Sequence, residues 1–226
     1  MTGTPNDGGT EPRISVVMPM LDGAATVHIQ LEALAAQGFD EPWELVVADN
    51  GSTDGSLTIV EEWRSRLPSL TVVDASAQRG VSHARNVGVS TARAPLIGVC
   101  DCDDVVSTGW VRAMYDALQR FDLVGGRLAP EALNDEWSLG GRPTPAQSGL
   151  PVAGHFLPYA VGANTGLRRE VFDALGGWSD AYRHGGDDVD FSWRAQIEGF
   201  SIGYGTDAVI HYRHRSDLDA VGRQYY

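Results

Sequence analysis

The chain has 226 residues and a formal charge of −13, set by 30 carboxylates against 17 basic residues, all of them arginine. The absence of lysine excludes a Walker-A phosphate loop and any lysine nucleophile, Schiff base or general base. The acidic balance argues against a nucleic-acid partner, which needs a basic footprint. Residues 1–11 lack the basic and apolar regions of a secretory signal, and no apolar run approaches the ~18 residues of a membrane span. No integral membrane segment is therefore expected, and peripheral membrane contact stays open. Two cysteines, Cys100 and Cys102, stand two apart and would share one strand face, which is poor geometry for a bridge. A chain without disulfides suits a reducing, cytoplasmic setting.

Residues 1–12 read as a disordered tail, and 13–226 as a single domain. In chain order, 14–18 (ISVVM) is a β-rich run closed by Pro19. A helix follows over 24–37, with Val27, Leu31, Leu34 and Ala35 on one stripe and Gly38 after it. A second strand at 43–48 ends in the turn-forming loop 49–55. A helix over 56–67 stops at Pro68, and a third strand covers 70–73. Then come a helix at 81–92, an apolar strand at 95–100, a helix at 109–121 and a strand at 123–128. Residues 130–158, rich in proline and glycine, read as a long loop with Trp137, His155, Phe156 and Tyr159 as its contact residues. Helical patterns return at 167–175 and 187–198, and short strands at 201–204 and 208–212. Near-continuous apolar strands alternating with helices predict an α/β fold: a mainly parallel, Rossmann-like sheet covered by helices on both faces.

In such sheets ligands bind beyond the carboxyl ends of the strands. Asp22, Asp49 and Asn50, and Asp101-Cys102-Asp103-Asp104 all stand at those ends. Helix capping accounts equally well for Asp22 or Asp54. It explains three carboxylates in four residues poorly, because like charges so close repel unless a cation offsets them. Extended geometry puts Asp101 and Asp103 on one face, where both can address a Mg²⁺ or Mn²⁺ ion and its bound phosphate oxygens. Cys102 between them points away, as a small buried hydrophobe. At Gly185-Gly186-Asp187-Asp188, two glycines precede a helix whose positive dipole end favours carboxylates. Capping accounts for one of the pair, and the other is a candidate general base. Arg85 falls on the helix after the third strand. Spacing does not choose between a surface arginine and a phosphate ligand, although arginine alone can bind phosphate in this chain. His211 continues the apolar run 208–210 beside the core. His214, among arginines, reads as surface.

Taken together these segments resemble the family 2 glycosyltransferases, inverting enzymes of the GT-A fold. The marks are Ile14-Ser15-Val16-Val17-Met18-Pro19, the run from Glu44 to Gly55, Ala84-Arg85-Asn86-Val87-Gly88, Asp101-Cys102-Asp103-Asp104, Gly162-Ala163-Asn164, the run from Phe172 to Trp178, and Gly186-Asp187-Asp188-Val189-Asp190. The resemblance covers residues 14–212, with a nucleotide-sugar half at 13–128 and an acceptor and base half at 129–215. It implies a nucleotide-diphosphate sugar donor, a hydroxyl acceptor (glycan, lipid-linked glycan or small molecule) and a divalent cation, Mn²⁺ or Mg²⁺. It places Pro19, Leu21, Asp49, Asn50, Arg85, Asp101 and Cys102 along the nucleotide. Asp103, with Asp101 and His211, would hold the metal. Asp188 matches the catalytic base, beside Asp187 where the family usually has Glu. Asn164, Gly177 and Trp178 would border the sugar and acceptor. Three departures stand out. Met20-Leu21-Asp22 lacks the aromatic that stacks on the base in relatives, Asn50 replaces a frequent Asp, and the chain ends at Tyr226 where relatives commonly continue. A GT-A-like nucleotidyltransferase and a non-catalytic sugar-nucleotide binder are the alternative readings. The first needs no base at Asp187-Asp188, and the retained aspartates argue against the second.

Overall fold

The computed structural model describes residues 11–141, 143–182 and 185–214, so most of the expected tail at 1–12 and the segment after 214 lie outside the described residues. The first half alternates strand and helix: β1 (Ile14–Met20), α1 (Val27–Ala35), β2 (Trp43–Asp49), α2 (Ser56–Glu62), β3 (Leu70–Asp74), α3 (Val81–Thr91) and β4 (Leu96–Cys100). It continues through a short β5 (Val105–Val106), α4 (Trp110–Leu118) and β6 (Leu123–Ala129). The second half adds α5 (Glu136–Gly141), β7 (Asn164–Arg168), α6 (Arg169–Leu175), α7 (Asp187–Ile197) and β8 (Ile202–His211). The sheet order is β3-β2-β1-β4-β7-β6-β8-β5. β3, β2, β1 and β4 run parallel, as do β6 and β8, while β7 is antiparallel to β4 and β6, and β5 to β8.

The parallel strands are apolar on both sides because both sides are covered. Val16, Met18, Leu45 and Val47 pack with residues of α1, α2 and α4. Val17, Val46, Ile97 and Val99 pack on the other face with residues of α3, α6 and α7. All seven residues of β1 and of β2 are buried, and each large apolar side chain among them contributes about 1.5–3 kcal/mol relative to exposure. Gly88 lets α3 ride close to the sheet, since a Cβ there would lie 2.5 Å from Val17 Cγ1.

The structure corrects several boundaries. β1 runs through Pro19 to Met20, with Pro19 in register with Ala48. The Met20 carbonyl accepts from Asn50 N on the β2 side, so the donor that Pro19 lacks faces the β4 side. There pairing has already ended at Val17. The second helix ends at Glu62, followed by turns, and Arg64 ties them to β3 through Leu70 O at 2.6 Å. Residues 167–168 belong to β7 and not to a helix. That strand, Asn-Thr-Gly-Leu-Arg, carries little local β signal and pairs with β4 on one side and β6 on the other. The two expected strands at 201–204 and 208–212 are one, β8, whose register slips opposite Gly126 and Arg127. The long loop contains α5 and an isolated bridge between Val152 and Pro158. His214 is buried rather than at the surface; its ring meets Thr144 Oγ1 at 2.7 Å and Ser138 O at 3.2 Å.

Candidate active site

The polar residues gather at the carboxyl ends of β1, β2 and β4, where an open α/β sheet binds ligands. β4 ends at Cys100, and residues 101–104 turn instead of extending. The turn brings carboxylate oxygens of Asp101, Asp103 and Asp104 within 4.8 Å of one another, so the expected pair is a trio. Gln30 Nε2 donates to Asp101 O, and Gln30 Oε1 accepts from Val106 N, both at 2.9 Å. Arg213 N donates to Asp104 Oδ1 at 2.7 Å, and Arg213 Nε to Asp103 O at 2.9 Å. The turn is thus braced by α1 on one side and by the segment after β8 on the other.

Asp104 is 2% exposed, and its Oδ2 has no hydrogen-bond partner. Burial, then the neighbouring Asp103 and Asp101, push its carboxyl well above the ordinary Asp range, against the pull of the Arg213 N–H. Cys102 packs in the core, where a Cβ on Gly23 would lie 3.1 Å from its Sγ. Burial first, then Asp103 and Asp101, push its thiol up to about 12. It is a neutral buried side chain, as its position between carboxylates implies, and not a thiolate ligand.

The trio is a set of hard oxygen donors, and one carboxylate oxygen of Asp104 is buried and unpartnered. That donor chemistry fits Mg²⁺ or Mn²⁺. His211 pairs across the ladder with Val105, the residue after Asp104, and its Nδ1 is buried without a partner. It stands beside the trio but outside the 4.8 Å group.

The second acidic pair starts α7. The N-cap is Gly186, with no side-chain cap hydrogen bond, so the expectation that capping explains one aspartate fails. Gly185 and Gly186 take φ of 113° and 89°, the left-handed region that favours glycine. Asp187 accepts from Arg85 Nη1 at 2.8 Å. Asp188 accepts from Gly162 N at 3.2 Å and from Val189 N at 2.8 Å. Burial, then the adjacent Asp187 charge, raise the Asp188 carboxyl, opposed by the Gly162 N–H and by Arg85. The Arg85 side chain is 5% exposed, and its Nη2 also reaches Asp101 Oδ1 at 3.4 Å. Arg85 therefore joins the two acidic clusters, a contact between residues 16 and 102 positions apart that spacing could not reveal.

The other expected residues fall into two groups. Asp49 is 6% exposed and accepts from the N–H groups of Gly51 and Ser52. Asn50 donates to Ala75 O and Gln78 O at 2.6 and 2.7 Å and accepts from Gly80 N at 2.9 Å, which folds segment 75–80 against the end of β2. Pro19 is buried in β1, while Leu21 just beyond it is exposed. Asp22 accepts from Thr53 N, so it braces two loops and does not cap a helix. Asn164, Gly177 and Trp178 come together with the core. Asn164 is fully buried, bonded to Trp110 Nε1 and to the carbonyls of Arg127 and Ala208. Trp178 stacks on Phe191 at 4.3 Å, and Gly177 lies against Asn86. Sequence reasoning missed Gln30 and assigned no role to Asp104. Gln30 offered one signal, a polar residue on the apolar stripe of α1.

Among the described residues, five buried side-chain polar atoms have no hydrogen-bond partner: Ser82 Oγ, His83 Nε2, Arg85 Nε, Asp104 Oδ2 and His211 Nδ1. A buried unpaired polar group costs about 1–3 kcal/mol. All five fall at the start of α3 or beside the acidic turn.

Residues 15–176 match the family model described as Glycosyl transferase family 2. The chondroitin synthase of Pasteurella multocida (strain Pm70) is 25% identical over 222 residues, covering 82% of this chain and 23% of that protein. The chain thus spans about a quarter of that relative. Of solved structures, S. aureus TarS 1-349 in complex with UDP-GlcNAc aligns with a TM-score of 0.72 and 21% identity, covering 91% of this chain and 59% of that one. The mannosyltransferase PcManGT from Pyrobaculum calidifontis, in complex with GDP-Man and Mn²⁺, aligns with a TM-score of 0.69 and 22% identity, covering 94% and 60%. These likenesses establish the fold as the GT-A type.

Proposed function

The chain belongs to glycosyl transferase family 2, and from that premise we propose that it transfers a sugar, with inversion, from a nucleotide-diphosphate sugar to an acceptor hydroxyl. The observation that carries the reading is the meeting of the Asp101-Asp103-Asp104 turn with the Asp187-Asp188 pair at Arg85. Donor and base chemistry would thereby lie side by side. The fold neighbours crystallised with UDP-GlcNAc and with GDP-Man and Mn²⁺ support a nucleotide-sugar donor and a divalent cation.

Asp103, with Asp101 and His211, would hold a Mn²⁺ or Mg²⁺ ion, which neutralises charge on the departing diphosphate. Pro19, Leu21, Asp49 and Asn50, at the ends of β1 and β2, form the nucleotide side. Asp188 takes the proton of the acceptor hydroxyl as it attacks. Its raised pKa makes it a stronger base than an exposed aspartate. One base on the face opposite the leaving group gives inversion through an oxocarbenium-like transition state. Residues 13–128 serve the donor and 129–215 the acceptor and base. The two free, buried cysteines fit a cytoplasmic setting.

A thermal-shift panel of UDP-, GDP- and dTDP-sugars, with and without Mn²⁺, tests the reading: the true donor raises apparent stability only with the metal. Product analysis then decides the reaction. Release of a nucleoside diphosphate from a sugar nucleotide supports glycosyl transfer, and release of pyrophosphate from a nucleoside triphosphate with a sugar 1-phosphate would make the chain a nucleotidyltransferase.

A further inference from the structure

We propose that Arg85 is a positioning residue for the base and not a ligand for the donor diphosphate. Its guanidinium is a strut that fixes the first turn of α7 against the end of β4. The inference rests on the reading of Asp188 as the base. Four observations carry it. Each terminal nitrogen donates to a protein carboxylate, Nη1 to Asp187 at 2.8 Å and Nη2 to Asp101 at 3.4 Å, while the buried Nε has no partner. The residue is 4% exposed, so it offers little surface to a ligand. Its guanidinium lies against Gly162, where a Cβ would fall 2.6–2.8 Å from Nη2, Nη1 and Cζ. Gly162 N in turn donates to Asp188.

The base is therefore held from two directions by one group: through Asp187 on its own helix, and through the backbone of residue 162. Beyond the Val189 N–H, from which Asp188 accepts at 2.8 Å, the local helix start does little to hold it. Two glycines at positive φ precede α7, and no side chain caps it. Without the strut, no guanidinium would stand between Asp187 and Asp101, and the turn carrying the base would be free to swing away. A displacement of about 1 Å in a reacting group costs about 100-fold in rate.

The test uses three variants: Arg85→Met removes the strut, Asp187→Asn removes its partner, and Gly162→Ala pushes the guanidinium aside while keeping every charge. Three readouts are taken: amide exchange over residues 187–190, calorimetric binding of UDP and GDP with Mn²⁺, and nucleoside-diphosphate release from UDP-, GDP- and dTDP-sugars. Each variant is expected to speed exchange at least about tenfold and to lower kcat about 100-fold. Nucleotide Kd and donor KM should stay within about threefold, because only positioning is lost. Arg85→Lys should recover part of kcat. The double variant Arg85→Met/Asp187→Asn should be no worse than either single one, as two ends of one contact must be. A tenfold or greater loss of nucleotide affinity in Arg85→Met with unchanged exchange on α7 would overturn the proposal. If Arg85→Met does not fold, Gly162→Ala decides, and unchanged exchange and kcat in it would overturn the proposal equally. Failure of the wild type to release nucleoside diphosphate from any donor would sink the glycosyl-transfer reading instead. Exchange and nucleotide binding would still report on Arg85.

Discussion

Two buried acidic sites sit at opposite ends of the same sheet and are built in opposite ways. Glu44, at the start of β2, is 1% exposed and fully answered by the protein. It accepts from Ser15 Oγ and Arg93 N at 2.6 Å and from Arg93 Nε at 2.8 Å. Burial alone would raise its pKa, and the Ser15 hydroxyl and the Arg93 N–H and guanidinium outweigh burial and lower it. Asp104, at the far end of β4, keeps an unpartnered oxygen beside two more carboxylates. A buried charge answered from within stabilises the fold. Buried charges set against each other weaken it unless something positive arrives. The amino end of the sheet is built for stability and the carboxyl end for a ligand.

The sharpest break in this comparison is expected at Asp188. Asp188→Asn should lower kcat by about 10²–10⁴ while leaving the urea unfolding midpoint close to wild type. Unchanged turnover would place the base elsewhere. Glu44→Ala should do the reverse. It leaves Ser15 Oγ and the Arg93 N–H short of a partner and should cost about 3 kcal/mol in urea unfolding, with turnover per folded molecule unchanged. Next comes the metal: Mn²⁺ at about 100 times its Kd should add about 2.7 kcal/mol of apparent stability to the wild type and almost none to Asp103→Asn.

A finer contrast uses one chemical change at both ends. In chelator-treated protein, Asp104→Asn should stabilise by about 1 kcal/mol, because it removes a buried like charge, while Glu44→Gln should destabilise by a similar amount. Equal signs would refute the contrast. The smallest effect is in pH. The Glu44 carboxyl is lowered from 4.5 on folding, so the unfolded state binds the proton more tightly. Its contribution is fully present above pH 4.5 and is lost as pH falls through the lower folded value. The stability–pH curve of Glu44→Gln should be flatter than that of the wild type in this window.

Much of the parallel half was legible in advance, for a physical reason. β1, β2 and most of β4 are buried on both faces, so 14–18, 43–48 and 95–100 read as apolar runs whatever the long-range contacts. The Asp101–Asp104 and Asp187-Asp188 signals were equally local, being carboxylates too close to leave unanswered. β7 and the single β8 were not legible. Gly166 is tolerated in β7 because Met114 presses where its side chain would be, a Cβ there falling 2.3 Å from the Met114 sulfur. β8 holds together across its register slip because it pairs with β6. His214 looked like surface among arginines until residues 134, 138 and 144 closed over it.

The amino-acid sequence by itself determined the alternating α/β pattern, the ends of the strands as the place for chemistry, and the acidic residue types found there. Burial on two faces and charge crowding are properties of neighbours in the chain. Only the tertiary structure decided that Asn164 and Trp178 sit in the core and that Arg85 bridges Asp101 to Asp187. Those outcomes depend on segments 16 to 102 residues apart arriving within hydrogen-bonding reach, and no local pattern encodes that distance.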